Sequence, residues 1–438
     1  MKRLLSFSVL VLLLFSCGSN KSNTKLPLST ESKEAANLYH DALQLNAVYK
    51  EDKAKEKLLE AVRLDSNFAA AYLLLSTLDL NTVIETDSYY DKAISLKDRM
   101  NDVELCFFDI RSSYRDNDLN KRVQASENLV KLLPNNAIAH ERMSYTKYEM
   151  ADINGSRQSA LNSVDNDNYY SPAYGILVNS YTFAEPKSFE KAEMYAKKVL
   201  SFNKDKSFYH VMLGDVYRAQ NKLEKAAEKY DDAYDVGTNN WLSAAKAGHA
   251  YTMFDPEEAR KRFDKAVSEA RTNSQKIGPE YAKVYTYLHQ NNFAMGLNQV
   301  KEIKNNLPIY GFSDQEVDSE LSDLLWHEYF IYSHSGQYNN AKKSLADKRK
   351  IDMKLAKLSK NDRSAFDTES TLLWMESHLE IMKGNYDKAK LKLSDLKKRF
   401  SDSSDPKRYD GYNNLMGMAN LMSGNAQKGI VHFENVLD

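Results

Sequence analysis

The chain is 438 residues long, with 42% hydrophobic and 28% charged residues, a balance that excludes wholesale disorder and a polytopic membrane protein. Its 60 Lys and Arg nearly cancel its 61 Asp and Glu, so it has no global electrostatic footprint for nucleic acid, and no nucleic-acid partner is expected. Fifteen Gly and eight Pro make up about 5% of the chain, against an ordinary usage of roughly 12%; few residues are left for tight turns or strand bulges, which predicts a predominantly helical protein.

The chain opens with an address. Lys2 and Arg3 form a positive head, Leu4 to Phe15 is an uncharged apolar run, and Ser16 precedes Cys17. This is a secretory signal layout, too short to cross a bilayer, which takes about 20 apolar residues. The string LFSC at 14–17 resembles the lipobox of bacterial, Bacteroidota-like lipoproteins, with Phe15 departing from the usual small or β-branched residue. The resemblance implies a signal peptide over 1–16, cleavage before Cys17, and lipidation of Cys17 as a membrane anchor. Several chains are needed there, because one acyl chain binds a membrane only marginally. Gly18 in place of Asp implies passage to the outer membrane, and the absence of a following acidic cluster implies a periplasm-facing anchor. Residues 17–32 then form a tether: Gly18 to Ser32 is polar and without helical periodicity, and reads as a flexible linker. With Cys17 lipidated, Cys106 is the one remaining thiol, so no intramolecular disulfide forms, and the run VELCFFDI makes Cys106 a buried small hydrophobe.

From residue 33 the pattern is helical and repetitive. Ala54, Leu58 and Ala61 lie on one helix; Tyr72, Leu75 and Ser76 open the next pair, which Tyr90 and Ala93 continue. Pro134 closes a further pair, His140, Met143 and Ser144 begin another first helix, and Tyr174, Leu177, Tyr181 and then Ala192, Ala196 and Val199 follow. The repeat is clearest next: Gly214, Tyr217, Ala226, Tyr230 and Ala233 recur 33 or 34 residues later as Gly248, Tyr251, Ala259, Phe263 and Ala266. With HVMLGDVY and LEKAAEKYDDAY as its two helices, this resembles the tetratricopeptide repeat. The two Gly let a first helix approach its partner, Ala226 and Ala259 supply the small contact, and Tyr230 and Phe263 fill the space between neighbouring pairs.

Beyond residue 274 the repeats become irregular. Tyr281, Val284, Phe293, Val300 and Ile303 form a pair ended by Pro308, IYGFSDQ reads as a break, and longer helices follow, joined by the Gly-containing turns SGQYNNA, KGNYDKA and SGNAQKG. The expected fold is therefore all-α, a right-handed α-α superhelix of about ten or eleven helix pairs. It comprises an N-terminal solenoid over 33–273 and irregular repeats of the same kind over 274–438, with the last helix capping the stack itself.

Several strings resemble chemical sites and read better as structure. Asp116, Asp118, Asn120 and Glu127 follow a calcium-loop spacing, but Lys121 stands where the loop needs Gly, and the segment aligns with an intra-pair turn whose acidic residues cap a helix. DNDN at 165–168 lacks both the Gly and the final Glu, and reads as an inter-pair turn. HEYFI, starting at His327, puts Ile331 where a zinc protease needs its second His, so His327 and His334 read as solvent or groove histidines. With no phosphate loop, nucleophile elbow or C-x-x-C string, no catalytic residue, metal site or cofactor is expected.

What remains is a groove. In tetratricopeptide proteins the first helix of each pair lines a concave surface that binds extended or helical peptides. The same register puts Glu141, Tyr145, Tyr148 and Glu149 there, then Asn179, Thr182 and Phe183, then Phe208, Asp215 and Arg218, then His249, Thr252 and Met253. Aromatic side chains offer large contact area at low rotamer cost. The positions where some such domains grip a C-terminal carboxylate with Lys and Asn hold Val211, Asp215, Ala245 and His249 instead, which argues against that ligand. The expected function is a lipid-anchored, non-enzymatic adaptor or scaffold of the cell envelope, holding protein partners or peptide segments in its groove. The alternatives are a glycan-binding lipoprotein on similar helices, which would need exposed aromatics clustered on loops, and an enzyme with a site in 274–438, which would carry a metal or cofactor.

Overall fold

The computed structural model describes residues 24–48, 50–78, 81–237, 241–358, 362–401 and 406–437. The signal segment and Cys17 lie outside them. The described residues form twenty-two α-helices and three short 3-10 turns, and none of these helices is long and apolar enough to cross a membrane. In chain order the helices make eleven pairs, in line with the expected all-α repeat. The chain divides into two compact units at 222/223.

The first unit contains α1 (Lys33–Ala47), α2 (Glu51–Leu64), α3 (Ala69–Leu75), α4 (Val83–Ser95), α5 (Asp102–Asp116), α6 (Leu119–Leu132), α7 (Ala137–Glu149), α8 (Ile153–Asn166), α9 (Ser171–Phe183), α10 (Phe189–Ser201) and α11 (Ser207–Ala219). The second contains α12 (Leu223–Val236), α13 (Trp241–Tyr251), α14 (Pro256–Glu269), α15 (Asn273–His289), α16 (Phe293–Asn306), α17 (Asp314–His334), α18 (Tyr338–Leu358), α19 (Asp362–Met382), α20 (Tyr386–Arg399), α21 (Asp410–Met422) and α22 (Ala426–Leu437). Within each unit, the two helices of a pair pack as a hairpin, and first helices of successive pairs, such as α3 and α5 or α7 and α9, also touch. The longer helices expected after the break are α17, α18 and α19, each of 21 residues.

The second helices share one rule. Residues at i, i+4 and i+7 turn inward together, because these spacings fall on one face of a 3.6-residue helix. Ala54, Leu58 and Ala61, then Ala192, Ala196 and Val199, then Ala226, Tyr230 and Ala233, then Ala259, Phe263 and Ala266 are all fully buried. Polar side chains hold the same places in α6 (Arg122, Ser126) and α8 (Ser156, Ser163), where hydroxyls satisfy the backbone: Ser144 donates to the Ser156 carbonyl at 2.7 Å and Ser163 to that of Ala137 at 2.7 Å. Arg157, also buried, donates to the Ser180 and Ala184 carbonyls at 2.6 and 2.9 Å and stacks on Tyr181.

The close approach expected at Gly248 is present. A Cβ there would sit 2.5 Å from Cε1 of Phe263, and one at Gly417 would sit 2.7 Å from Cε1 of Phe433. Phe263 thus packs within its own pair, and it shares a cluster with Ala282 of the next. Seven intra-pair turns pass through a left-handed residue: Asn117, Ala151, Asn221, Asn291, Gly336, Gly384 and Gly424. The last three are the glycines of the three turn strings. Asp118 accepts the Lys121 N–H at 3.0 Å as the cap of α6, and the Lys121 ammonium pairs with Asp116. Asp167 accepts the Tyr169 N–H at 2.9 Å in the next inter-pair turn.

Candidate functional site

Residues 24–32 correct the expectation of a flexible linker. Lys25 to Thr30 run as an extended strap across the first helices of the first unit. Pro27 keeps Leu26 extended, and Leu26 is 6% exposed, set beside Tyr39 of α1, Ala70 of α3 and Val103 of α5 in a core cluster that reaches Ile138 of α7. Two N-cap residues one repeat apart read the strap's carbonyls. Asn101 accepts from the Val103 and Glu104 N–H groups and donates to Pro27 O at 3.1 Å. Asn136 accepts from the Ile138 and Ala139 N–H groups and donates to Lys25 O at 3.0 Å. The Glu104 carboxylate, 2% exposed, accepts from both the Asn101 and Ser29 N–H groups. His40 Nε2 lies 3.2 Å from both the N and the O of Leu26, and Thr30 donates to Asp65 at 2.6 Å.

Beside the strap lies a charged and tyrosine-rich neighbourhood. Glu141 of α7 is 3% exposed and 3.2 Å from the Nε of Arg142. Burial pushes the Glu141 carboxyl up, partly offset by Arg142. The same pairing pushes the Arg142 guanidinium up, with Tyr170, Tyr145 and Tyr114 also in its field. Burial raises Tyr170 and Tyr39, Tyr170 next by Glu141 and Tyr39 next by Glu104. Arg142 is half-buried overall, with its Nε shut off from water against Glu141.

The sequence-selected groove residues fall out as follows. Glu141 and Tyr145 come together around Arg142. Tyr145, Tyr148 and Phe183 are 41%, 39% and 54% exposed, and Asn179 is exposed one turn before Phe183. Phe208 is half-buried, edge-on to Tyr209. Asp215 lies 3.8 Å from Arg218 on the same helix. In the second unit His249 is exposed, its ring edge-on to Phe263 at 5.1 Å. Thr182 and Thr252 turn inward instead, donating to Val178 O and Gly248 O at 2.7 and 2.8 Å. Arg142, Tyr170, Asn101 and Asn136 were not selected from the sequence; the signal for the last two was an Asn at equivalent cap positions of successive first helices.

His327 is not a solvent histidine. It is 6% exposed, donates from Nδ1 to Asp323 O at 2.7 Å and stacks on Tyr281 at 5.1 Å. His334 is exposed, 5.5 Å from the buried His378. His378 pairs through Nδ1 with the Tyr329 hydroxyl at 2.8 Å and stacks on Trp374, which stacks in turn on Trp326. Burial, followed by the nearby His334, pushes His378 down to about 4. Cys106 is buried and free. Among the described residues no group of three or more His, Cys, Asp or Glu is placed to hold a metal ion.

No protein-family model and no curated protein matches the chain. Several solved structures do in part. MamA is 21% identical over 36% of this chain and 93% of its own, with a TM-score of 0.33. A thermophilic tetratricopeptide protein of Thermus thermophilus, TTC0263, is 17% identical over 42% of this chain and 97% of its own, with a TM-score of 0.34. A tetratricopeptide repeat protein of Parabacteroides merdae is 11% identical over 66% of this chain and 98% of its own, with a TM-score of 0.35.

Proposed function

We propose that this chain is a lipid-anchored, non-enzymatic adaptor of a bacterial cell envelope that holds protein partners on the first-helix face of its tetratricopeptide-like pairs. The observation that carries the reading is the exposure of Tyr145, Tyr148 and Phe183 on two touching first helices, α7 and α9. Large aromatic rings left in water on neighbouring first helices match the residue types that dominate protein interfaces. The anchor rests on Cys17 and its flanking sequence, which also supports an outer-membrane, periplasm-facing location.

The test is crosslinking of the intact lipoprotein in its native envelope, with captured proteins identified by mass spectrometry. A Tyr145→Ala, Tyr148→Ala, Phe183→Ala variant with an unchanged circular dichroism spectrum is expected to lose the captured partner. Unchanged capture would overturn the assignment of this face.

A further inference from the structure

We infer that the first unit recognises extended polypeptide carrying a Leu-Pro-Leu core, and that residues 25–29 are a resident copy of that ligand. A partner segment of the same chemistry enters the groove by displacing them. The inference rests on the adaptor reading in one respect: a partner protein supplies the competing segment.

Four features support it. Over residues 25–29 the polar readout touches backbone groups, namely Lys25 O, the N or O of Leu26 according to the His40 tautomer, Pro27 O and Ser29 N, and every reader is a side chain of the helical stack; only Thr30, at the end of the strap, is held by its own side chain, on Asp65. Such a readout accepts any extended segment, whatever side chains it carries. Three of the four readers are fixed without the strap: Asn101 and Asn136 are held by the helix N–H groups they cap, and Glu104 by its capping box with Asn101. A preorganised site of this kind loses little by waiting empty.

Selectivity comes from one pocket. Leu26 fills the space between Tyr39, Ala70, Leu73, Val103 and Phe107, leaving a void of ≈10 Å³, about enough for one water. Lys25 and Pro27 are exposed and Leu28 is half-buried, so a competitor needs the buried leucine, a proline that keeps it extended, and a second apolar residue. Finally, the strap adds no helix to the stack, so its departure leaves the hairpins paired.

The probe is a fluorescent peptide, TKLPLST, titrated by anisotropy into the full chain and into its Leu26→Ser, Leu28→Ser variant. The variant, whose resident competitor is weakened, is expected to bind at least ten times tighter than the wild type, and a peptide with both leucines changed to Asp is expected not to bind. Equal binding to the two chains, or binding to neither, overturns the inference. Hydrogen exchange on the wild-type chain gives a second reading that needs no variant. Excess peptide should speed exchange at the Leu26 and Ser29 amides and leave that of Ile110 in α5 unchanged; no acceleration overturns the inference. If the peptide fails while the triple aromatic variant still loses its partner, the strap reading falls and the adaptor reading stands. Peptide binding together with unchanged partner capture sustains the strap reading and removes the aromatic face of α7 and α9 from the adaptor reading.

Discussion

Replacing Gly248 by Ala tests the contact on which the clearest repeat is built. The new Cβ would lie 2.5, 2.7 and 2.9 Å from three ring carbons of Phe263, a residue with no exposed surface. Carbon contacts are comfortable at about 3.5–4.0 Å, so the ring must retreat by about 1 Å into a packed core. Overpacking of this size costs about 1–3 kcal/mol, against which Ala gains about 1 kcal/mol of helix propensity over Gly. The net expectation is a loss of about 1 kcal/mol in the opening free energy of α13 and α14. With Phe263→Leu beneath it, the clash is relieved and the same substitution should become stabilising by up to about 1 kcal/mol. Amide exchange within α13 and α14 is the right readout, because repeat arrays open locally and one global midpoint averages over them. The reasoning is refuted if Gly248→Ala stabilises the chain with Phe263 in place, or if its cost is the same with Leu at 263.

Ala151 holds φ +60 where the other left-handed intra-pair turns use Asn or Gly, and an L-residue pays roughly 1–2 kcal/mol for that conformation. Ala151→Gly should therefore stabilise by about 0.5–1 kcal/mol after glycine's greater unfolded freedom is subtracted, and Gly336→Ala should destabilise by about 1 kcal/mol; amide exchange around each turn would show the opposite signs. His378, pushed down to about 4 in the folded chain, titrates near 6.5 when unfolded. The unfolded state thus takes the proton first: this stability is whole above pH 6.5 and drains away as pH falls to 4, by about 3 kcal/mol in total. Urea unfolding of the second unit, followed by tryptophan fluorescence, should lose less between pH 7 and 4.5 in His378→Asn. Cys17→Ser should shift the protein out of the membrane fraction and abolish radiolabelled palmitate incorporation; retention in the membrane would remove the anchor from the proposed function.

The second helices were legible because small and aromatic residues recur on one face at fixed intervals. In α6 and α8 that face carries Arg122, Ser156 and Ser163, whose burial depends on hydrogen bonds to residues of α5 and α7 that no local pattern announces. The strap was misread for a related reason. Leu26, Pro27 and Leu28 are too few to show a period, and what buries Leu26 is contributed by residues 39 to 107. Glu141 shows the limit of register alone. Its position on the first helix was inferred from the repeat, but whether it meets water was decided by packing and by its Arg142 pairing, which leave it 3% exposed.

Those seven left-handed intra-pair turns span only two or three residues each, while the connections between pairs range from three residues at 270–272 to ten at 400–409. A peptide tag or fluorescent domain inserted at Ala151 or Gly384 would have to break a backbone conformation that closes a hairpin. The same insertion at 203–205 or 309–312 enters a joint whose length already varies. Those seven turns are therefore closed to grafts and these joints open to them, which decides where a reporter can be placed and where length variation among natural variants should accumulate.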